Sequence, residues 1–394
     1  MKLKKTLNIL SLSAFDYAGS GYFLSEAINE TTEHSSRAVI GRKAKLRFPT
    51  DIVTRDADKI RDLWKRADVI HVHDGASIPD DLLPRPIVVT WHGTVYRRDV
   101  KRWNEETARN GWLATAATLD LTRHGPRWLP DCRPDMSAYV QKKPGRFKIC
   151  HAPTKRHIKS TETVLKALEG FDYDLIEKIV WKECLKRKGK CDVLIDQFKL
   201  CYGCNAIEAW LMDMPVIANA AQQETLRRID EQAPAGWPFV RCSDDPDAIR
   251  AALERLRDDD VYYDKFVKLG RLYVERNHSY KAVAAMAIEF YYEALERFTD
   301  RPAGVTLVPH PGPRGIRPPP RKKLPNLRKD AGELVPLRYV GRNDLTVTFF
   351  GKKTKLHQFG RKAKPVGYVY KADVPGLLAE REGKRRAFVR EKEK

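Results

Sequence analysis

The chain has 394 residues, 42% of them hydrophobic, and a formal net charge of +21. That is long enough for two or three domains with their own cores and too apolar for a disordered protein. No apolar run reaches the ~18–20 residues of a membrane span, and the seven cysteines, odd in number and irregularly spaced, exclude a secreted disulfide framework.

Along the first 300 residues, strand-like and helix-like segments alternate. "TLNILSLS" is a buried strand, too short for a signal-peptide core and followed by Asp16, and "SGYFLSEAINE" follows it as a helix. "ADVIHVHDG" and "PIVVTWHGT" are further strands ending in polar residues, and "RWLPD" closes this half. "QKKPGR" marks a boundary at Lys142–Arg146. Beyond it "FKICHAP" precedes the helical "TETVLKALEG", and "CDVLIDQ" precedes "NAIEAWLMD" and "PVIANA". "SYKAVAAMAIEFYYEALERF" is a long closing helix. Continuous apolar strands alternating with helices predict parallel sheets covered on both faces, with ligands beyond the carboxyl ends of the strands. The fold class is therefore α/β, and the domains expected are 1–145, 146–298, a Pro/Gly/basic linker over 299–330 and a small basic β-rich module over 331–394.

The charge is unevenly placed. Residues 301–394 hold 24 Lys and Arg against 8 Asp and Glu, while residues 1–300 hold 49 against 44. The body is nearly balanced, and the tail is an appended element with its own partner. "VPHPGPRGIRPPPRKKLP" reads as an extended linker. The cations of the last 60 residues are interleaved with Tyr339, Phe349, Phe350, Phe359, Tyr368, Tyr370 and Phe388, a mixture that can bind single-stranded nucleic acid or dock an acidic protein. The same aromatics can instead form the small core of the module.

Chemistry is expected at the strand ends. "CHAPTKRHIKST" puts Lys155, Arg156 and Lys159 between a strand and a helix starting near Ser160 or Thr161. Helix starts favour anions, Arg156 offers a planar fork for phosphate oxygens and Lys159 a point charge, so the stretch reads as a diphosphate cradle, with a solvated basic loop as the plain alternative. In "AIEAWLM" the acid Glu208 stands on an otherwise apolar helix, where it can accept two hydrogen bonds from a ribose diol or serve the helix dipole. "DYAGSGYF" carries Gly19 and Gly21 without a full GxGxxG. His92 ends the strand of "TWHGT", facing a cleft or buried, and His124 in "TRHG" is a weaker candidate of the same kind. His71, His73 and Asp74 lack a fourth ligand, so no metal site is expected. Cys201 and Cys204 form a CxxC without a second pair, and read as turn residues.

Together "HAPTKRHIKSTETVLKAL" and "CDVLIDQ…YG…AIEAWLMDMPVIAN" resemble the C-terminal half of GT-B glycosyltransferases of the family 4 (glycosyl transferases group 1) type. "DVIHVHDG", "VVTWHGT", "RWLPD" and "NHSYKAVAAMAIEFYYEAL" follow the family's order, so the resemblance covers about residues 6–298. It implies two Rossmann-like domains facing a cleft and a hexosyltransferase-like enzyme that uses a nucleoside-diphosphate sugar as co-substrate, without metal or other cofactor. Arg156 and Lys159 match the pair that holds the donor diphosphate, and Glu208 matches the ribose-binding acid. Gly19, Gly21 and Gly203 would let backbone approach the donor, and His92 would touch donor sugar or acceptor. Retaining enzymes of this type are thought to use the leaving phosphate as base. Two positions depart: Leu200 stands eight before Glu208, where relatives carry a first glutamate, leaving Asp196 as the nearest acid, and Asp213 replaces a usual Gly. The acceptor expected is DNA, a protein or a glycan. "VPLRYVG" through "DVPGLL" is faintly similar to β modules of bacteriophage structural proteins, which points to a phage origin and to the host cytoplasm or a virion as location. The other class of function is a GT-B-like body that has lost catalysis and serves as a structural or binding component.

Overall fold

The computed structural model describes residues 5–16, 18–74, 76, 82, 84–142 and 145–299, and short strands between 334 and 390. The chain divides into two compact units, 1–314 and 315–394.

The first unit opens with β1 (Asn8–Ser13), α1 (Ser20–Thr31), β2 (Ser35–Ile40), β3 (Ile52–Val53), α2 (Ala57–Arg66), β4 (Val69–His73) and β5 (Ile87–Trp91). It continues through α3 (Thr94–Arg98), α4 (Val100–Asn110), β6 (Leu113–Ala116), α5 (Leu119–Thr122) and β7 (Arg127–Trp128). These strands form one parallel sheet in the order β3-β2-β1-β4-β5-β6-β7. Every residue of β4 and β5 is buried, as expected of central strands covered on both faces. Side chains set several helix starts: Asp56 accepts from the N–H groups of Asp58 and Lys59, and Asp99 from Arg102 N–H.

A second set follows: β8 (Lys148–His151), α6 (Thr161–Ala167), β9 (Asp172–Leu175), α7 (Trp181–Lys188), β10 (Val193–Ile195), α8 (Cys204–Trp210), β11 (Val216–Ala218), α9 (Gln223–Gln232) and β12 (Val240–Arg241). Its strands form a parallel sheet in the order β12-β11-β10-β8-β9. Then come α10 (Pro246–Asp258), capped by Asp245 ahead of a proline, α11 (Asp260–Asn277) and α12 (Tyr280–Thr299). The last helix returns to the first sheet. Tyr291 OH shares a 2.7 Å hydrogen bond with His71 Nδ1 of β4, and Tyr292 OH donates to the Lys5 carbonyl at 2.8 Å.

Each sheet reverses its winding once, between β1 and β4 in the first and between β8 and β10 in the second. Such switch points open a crevice beyond the carboxyl ends of the strands. The connections leaving them begin at Ala14, Asp74, Ala152 and Asp196.

In the second unit β13 (Leu334–Tyr339) pairs antiparallel with β16 (Val366–Tyr370) and β19 (Phe388–Arg390), while β14 (Val347–Phe350) pairs with β15 (Leu356–Phe359) and β17 (Arg381–Glu382) with β18 (Arg385–Arg386). The Pro-rich linker and the side chains of the basic tail lie outside the described residues.

Candidate functional site

At the second switch point, β8 ends at His151 and α6 starts at Thr161, with Ser160 as its left-handed cap residue (φ 49°). Arg156 is half exposed and fully engaged. Its Nε and Nη2 donate to the two carboxylate oxygens of Glu177 at 2.9 and 2.7 Å, and Nη1 donates to Glu162 at 2.9 Å. Hydrogen bonding to Glu177 and then Glu162 pushes its pKa up. Lys159 is buried instead of exposed, and its ammonium is paired with the buried Asp196 carboxylate after β10. Asp196 Oδ2 also accepts from Gly203 N–H at 2.7 Å, which ties the 196–203 loop to the lysine. Gly203 passes close beneath Lys159, since a Cβ there would lie 3.4 Å from Nζ.

Glu208, on α8, is buried within a set of charges that the sequence reading did not assemble. Oε1 accepts from Trp181 Nε1–H at 2.8 Å, Oε2 pairs with Lys188 Nζ, and Arg133 Nε lies 3.6 Å from Oε1. Lys188 and Arg133 are themselves fully buried. Burial raises the Glu208 pKa, and Lys188 and Arg133 overcome it and hold the carboxyl below its ordinary range. Trp181 is covered in turn by Phe23 and Phe48 from the first sheet's side, with ring centroids 5.3 and 5.2 Å away, and its backbone N–H donates to the Leu46 carbonyl at 2.8 Å. The two halves of the first unit therefore meet over Glu208.

Gly19 has φ 72°, and a Cβ there would come within 2.8 Å of Phe23 and 2.9 Å of Phe48. A side chain at Gly21 would lie 3.1 Å from Ser11 Oγ and 3.3 Å from His73 Nε2. The N–H groups of Gly21 and Tyr22 donate to the buried Asp16 carboxylate at 3.3 and 3.0 Å. Both glycines thus hold the first loop tight against its own half.

His92 joins a chain of polar groups at the carboxyl ends of β1, β4 and β5. Ser11 Oγ and His73 Nε2 share a 2.9 Å hydrogen bond, and His73 Nδ1 and His92 Nε2 one of 2.8 Å. His92 Nδ1 faces Asp131 at 3.9 Å, and His92 N–H donates to Asp74 Oδ1 at 2.8 Å. Burial, with His71 and His92 adding to it, keeps His73 neutral. His73, His92 and Asp131 line a cavity of about 10 Å³ with Ser20, Thr90 and Cys132, enough for one water. His71 does not turn toward this cavity: it bonds to Tyr291 and Thr90. Among the described residues no group of three His, Cys, Asp or Glu is arranged to hold a metal ion. A larger hollow of about 570 Å³, lined by residues of 119–128, α9 and α12, contains none of the residues singled out in the sequence.

The sequence pattern passed over Arg133, Lys188 and Trp181. Lys188 lies in "LKRKGK", which reads as a solvated cation run, yet it stands four and seven positions after Cys184 and Trp181, on the buried stripe of α7. Arg133 has no such signal. Asp213, where the resembled family has Gly, adopts the left-handed conformation at φ 53°.

No protein-family model matches the sequence, and no curated protein does. Solved structures match by fold. A glycosyltransferase from Rickettsia africae ESF-5 aligns with a TM-score of 0.53 at 11% identity, over 74% of this chain and 100% of its own. Anabaena Alr3699/HepE in complex with UDP-glucose aligns with a TM-score of 0.53 at 10% identity, over 73% of this chain and 100% of its own. An alpha-glucosyltransferase in complex with UDP and a 13-mer DNA containing an HMU base gives 0.53 at 9% identity, over 73% and 100%. At these identities the likeness is one of fold, and that fold is the two-domain GT-B architecture of glycosyltransferases.

Proposed function

We propose that this chain is a glycosyltransferase that moves a sugar from a nucleoside-diphosphate donor to an acceptor. The observation that carries the reading is the placement of cations at the switch point of the second sheet, Arg156 and Lys159 after β8 with Asp196 and Gly203 after β10, in a GT-B fold. A donor diphosphate would exchange with the carboxylates now on Arg156, and the cations would neutralise the charge that grows on the leaving phosphate. The ribose diol would take the place on Glu208 Oε1 held by the Trp181 indole. In this reading transfer is retaining and independent of metal, with the leaving phosphate taking the acceptor's proton, and the basic tail recruits the acceptor or an assembly partner. That HepE binds UDP-glucose and the DNA-bound enzyme binds UDP makes uridine diphosphate the first donor fragment to try.

A thermal-shift screen of nucleoside diphosphates and their sugars tests this without an acceptor. A rise in melting temperature with one base is expected, and no rise with any of them counts against it. A second reading, a GT-B body that binds without catalysis, is favoured by one observation: Glu208 already has protein partners on both oxygens. Donor binding without hydrolysis or transfer to any acceptor would support that reading.

A further inference from the structure

We propose that the loop Gly41–Arg47, with Lys178 and Lys182 of the opposite half, forms a basic ridge that binds the phosphodiester backbone of a nucleic acid beside the cleft. The loop reads "GRKAKLR", and Arg42, Lys43, Lys45 and Arg47 are all exposed, as are Lys178 and Lys182. Among the described residues none of the six forms an ion pair with a carboxylate. Neighbouring cations do: Arg37 with Asp51, Arg156 with Glu177 and Arg187 with Asp174. The ridge is not the by-product of a basic surface either, since residues 1–300 hold 49 basic and 44 acidic side chains.

The cations are held on a shaped backbone. Gly41 N–H donates to the Ser13 carbonyl at 3.1 Å, Arg47 N–H to Ala44 at 3.1 Å, and the Leu46 carbonyl receives Trp181 N–H at 2.8 Å, which brings the two cation groups together. Arg47 and Lys178 are two of only five described non-glycine residues with positive φ, at 52° and 56°. Long cationic side chains gain nothing locally from that conformation, which favours Gly, Asn or Asp. Charge is thus kept where a turn residue would be easier, a mark of a surface with work to do. Phe48, which follows the loop, packs on Trp181 and Phe23, Arg42 lies 3.9 Å over the ring of Phe15, and Ala44 and Leu46 within the loop are half-buried. The exposed side chains of the ridge are therefore cations without a large apolar anchor among them, which suits a phosphate chain better than a lipid surface. As the seat of an acceptor strand the ridge rests on the donor reading; as a binding surface it does not.

The test uses the full chain and a labelled DNA duplex of about 20 base pairs, with anisotropy read across salt; each phosphate contact contributes roughly −0.9 to the log–log slope. The variant Arg42→Gln/Lys43→Gln/Lys45→Gln/Arg47→Asn should flatten the slope by roughly two to four units and weaken binding at least about tenfold at ~0.1 M salt. A control that removes four exposed cations elsewhere, Lys65, Lys265, Lys268 and Lys281, to Gln, should keep the wild-type slope. If the ridge variant fails to fold, Lys43→Gln and Lys45→Gln singly should each flatten the slope by roughly 0.9. Equal slopes for ridge and control variants overturn the proposal. So does ridge-dependent binding to phosphatidylserine vesicles with ridge-independent DNA binding. The nucleoside diphosphates of the thermal-shift screen, UDP first, titrated into the same wild-type sample separate the two readings. Binding of any of them with a ridge-independent slope removes the ridge alone, and a ridge-dependent slope with none of them bound removes the donor reading alone.

Discussion

The indole N–H of Trp181 donates to Glu208 Oε1 at 2.8 Å, on a carboxylate whose other oxygen is paired with Lys188. Taking such charges out of water is costly, and breaking one partner leaves the other uncompensated. Lys188→Met should therefore lower stability by about 3–5 kcal/mol, read from urea unfolding. Lys188→Met with Glu208→Gln should recover only part of the loss, because the lone acid is gone but the buried Arg133 guanidinium has lost its carboxylate. A loss below about 1 kcal/mol for Lys188→Met would mean the pair is not buried as described.

Buried histidines set the acid response. Burial pushes His71 down to about 3 and His151 and His278 to about 4, so all three are neutral in the folded chain near neutrality. Unfolded, they bind protons from about pH 6.5. The unfolded state then holds more protons below that pH, so stability is full above about 6.5 and falls as the pH drops toward 4. Each group contributes a slope of about 1.4 kcal/mol per pH unit. Thermal unfolding followed from pH 7.5 to 5 should show this loss, and His278→Gln should reduce its steepness. A flat profile would contradict the burial.

Of Arg156 and Lys159, Arg156 is the more exposed. Arg156→Ala should weaken UDP binding by about tenfold or more, the loss of charge-assisted hydrogen bonds, while Glu177→Gln, which frees the guanidinium, should tighten it. Calorimetric titration distinguishes these. Unchanged affinity in both variants would remove Arg156 from the donor site.

Phe48 and Trp181 cover Glu208 from opposite halves of the first unit. If the nucleoside replaces the indole, the open arrangement is a minor population and the apparent affinity is scaled by its fraction. Phe48→Ala should then tighten UDP binding by roughly threefold to tenfold, with a lower melting temperature. Weaker binding in Phe48→Ala would show the ring to be part of the site and not its cover.

The α/β order was legible because parallel strands buried on both faces leave unbroken apolar runs, such as "VIHVH" and "IVVTW". The start of α6 at Thr161 could be read from the change of period after "HAPTKRHIKS". What lay beyond the pattern was partnership. Lys159 and Arg156 look alike in sequence, yet one is buried on Asp196 and the other half exposed on Glu177 and Glu162. That difference depends on partners 37 residues away for Lys159 and 21 and 6 residues away for Arg156. The triad of Arg133, Lys188 and Glu208 joins three segments whose spacing has no local signature.

Hydrogen–deuterium exchange of the full chain with and without UDP tests the central claim most directly, because it maps the site without presuming a variant. The account predicts slower exchange in two separate segments together, 152–162 and 196–208, the loops that leave β8 and β10 at the switch point. Protection confined to the hollow around 119–128 and α9, or no protection anywhere with UDP or any other nucleoside diphosphate at saturation, would contradict it.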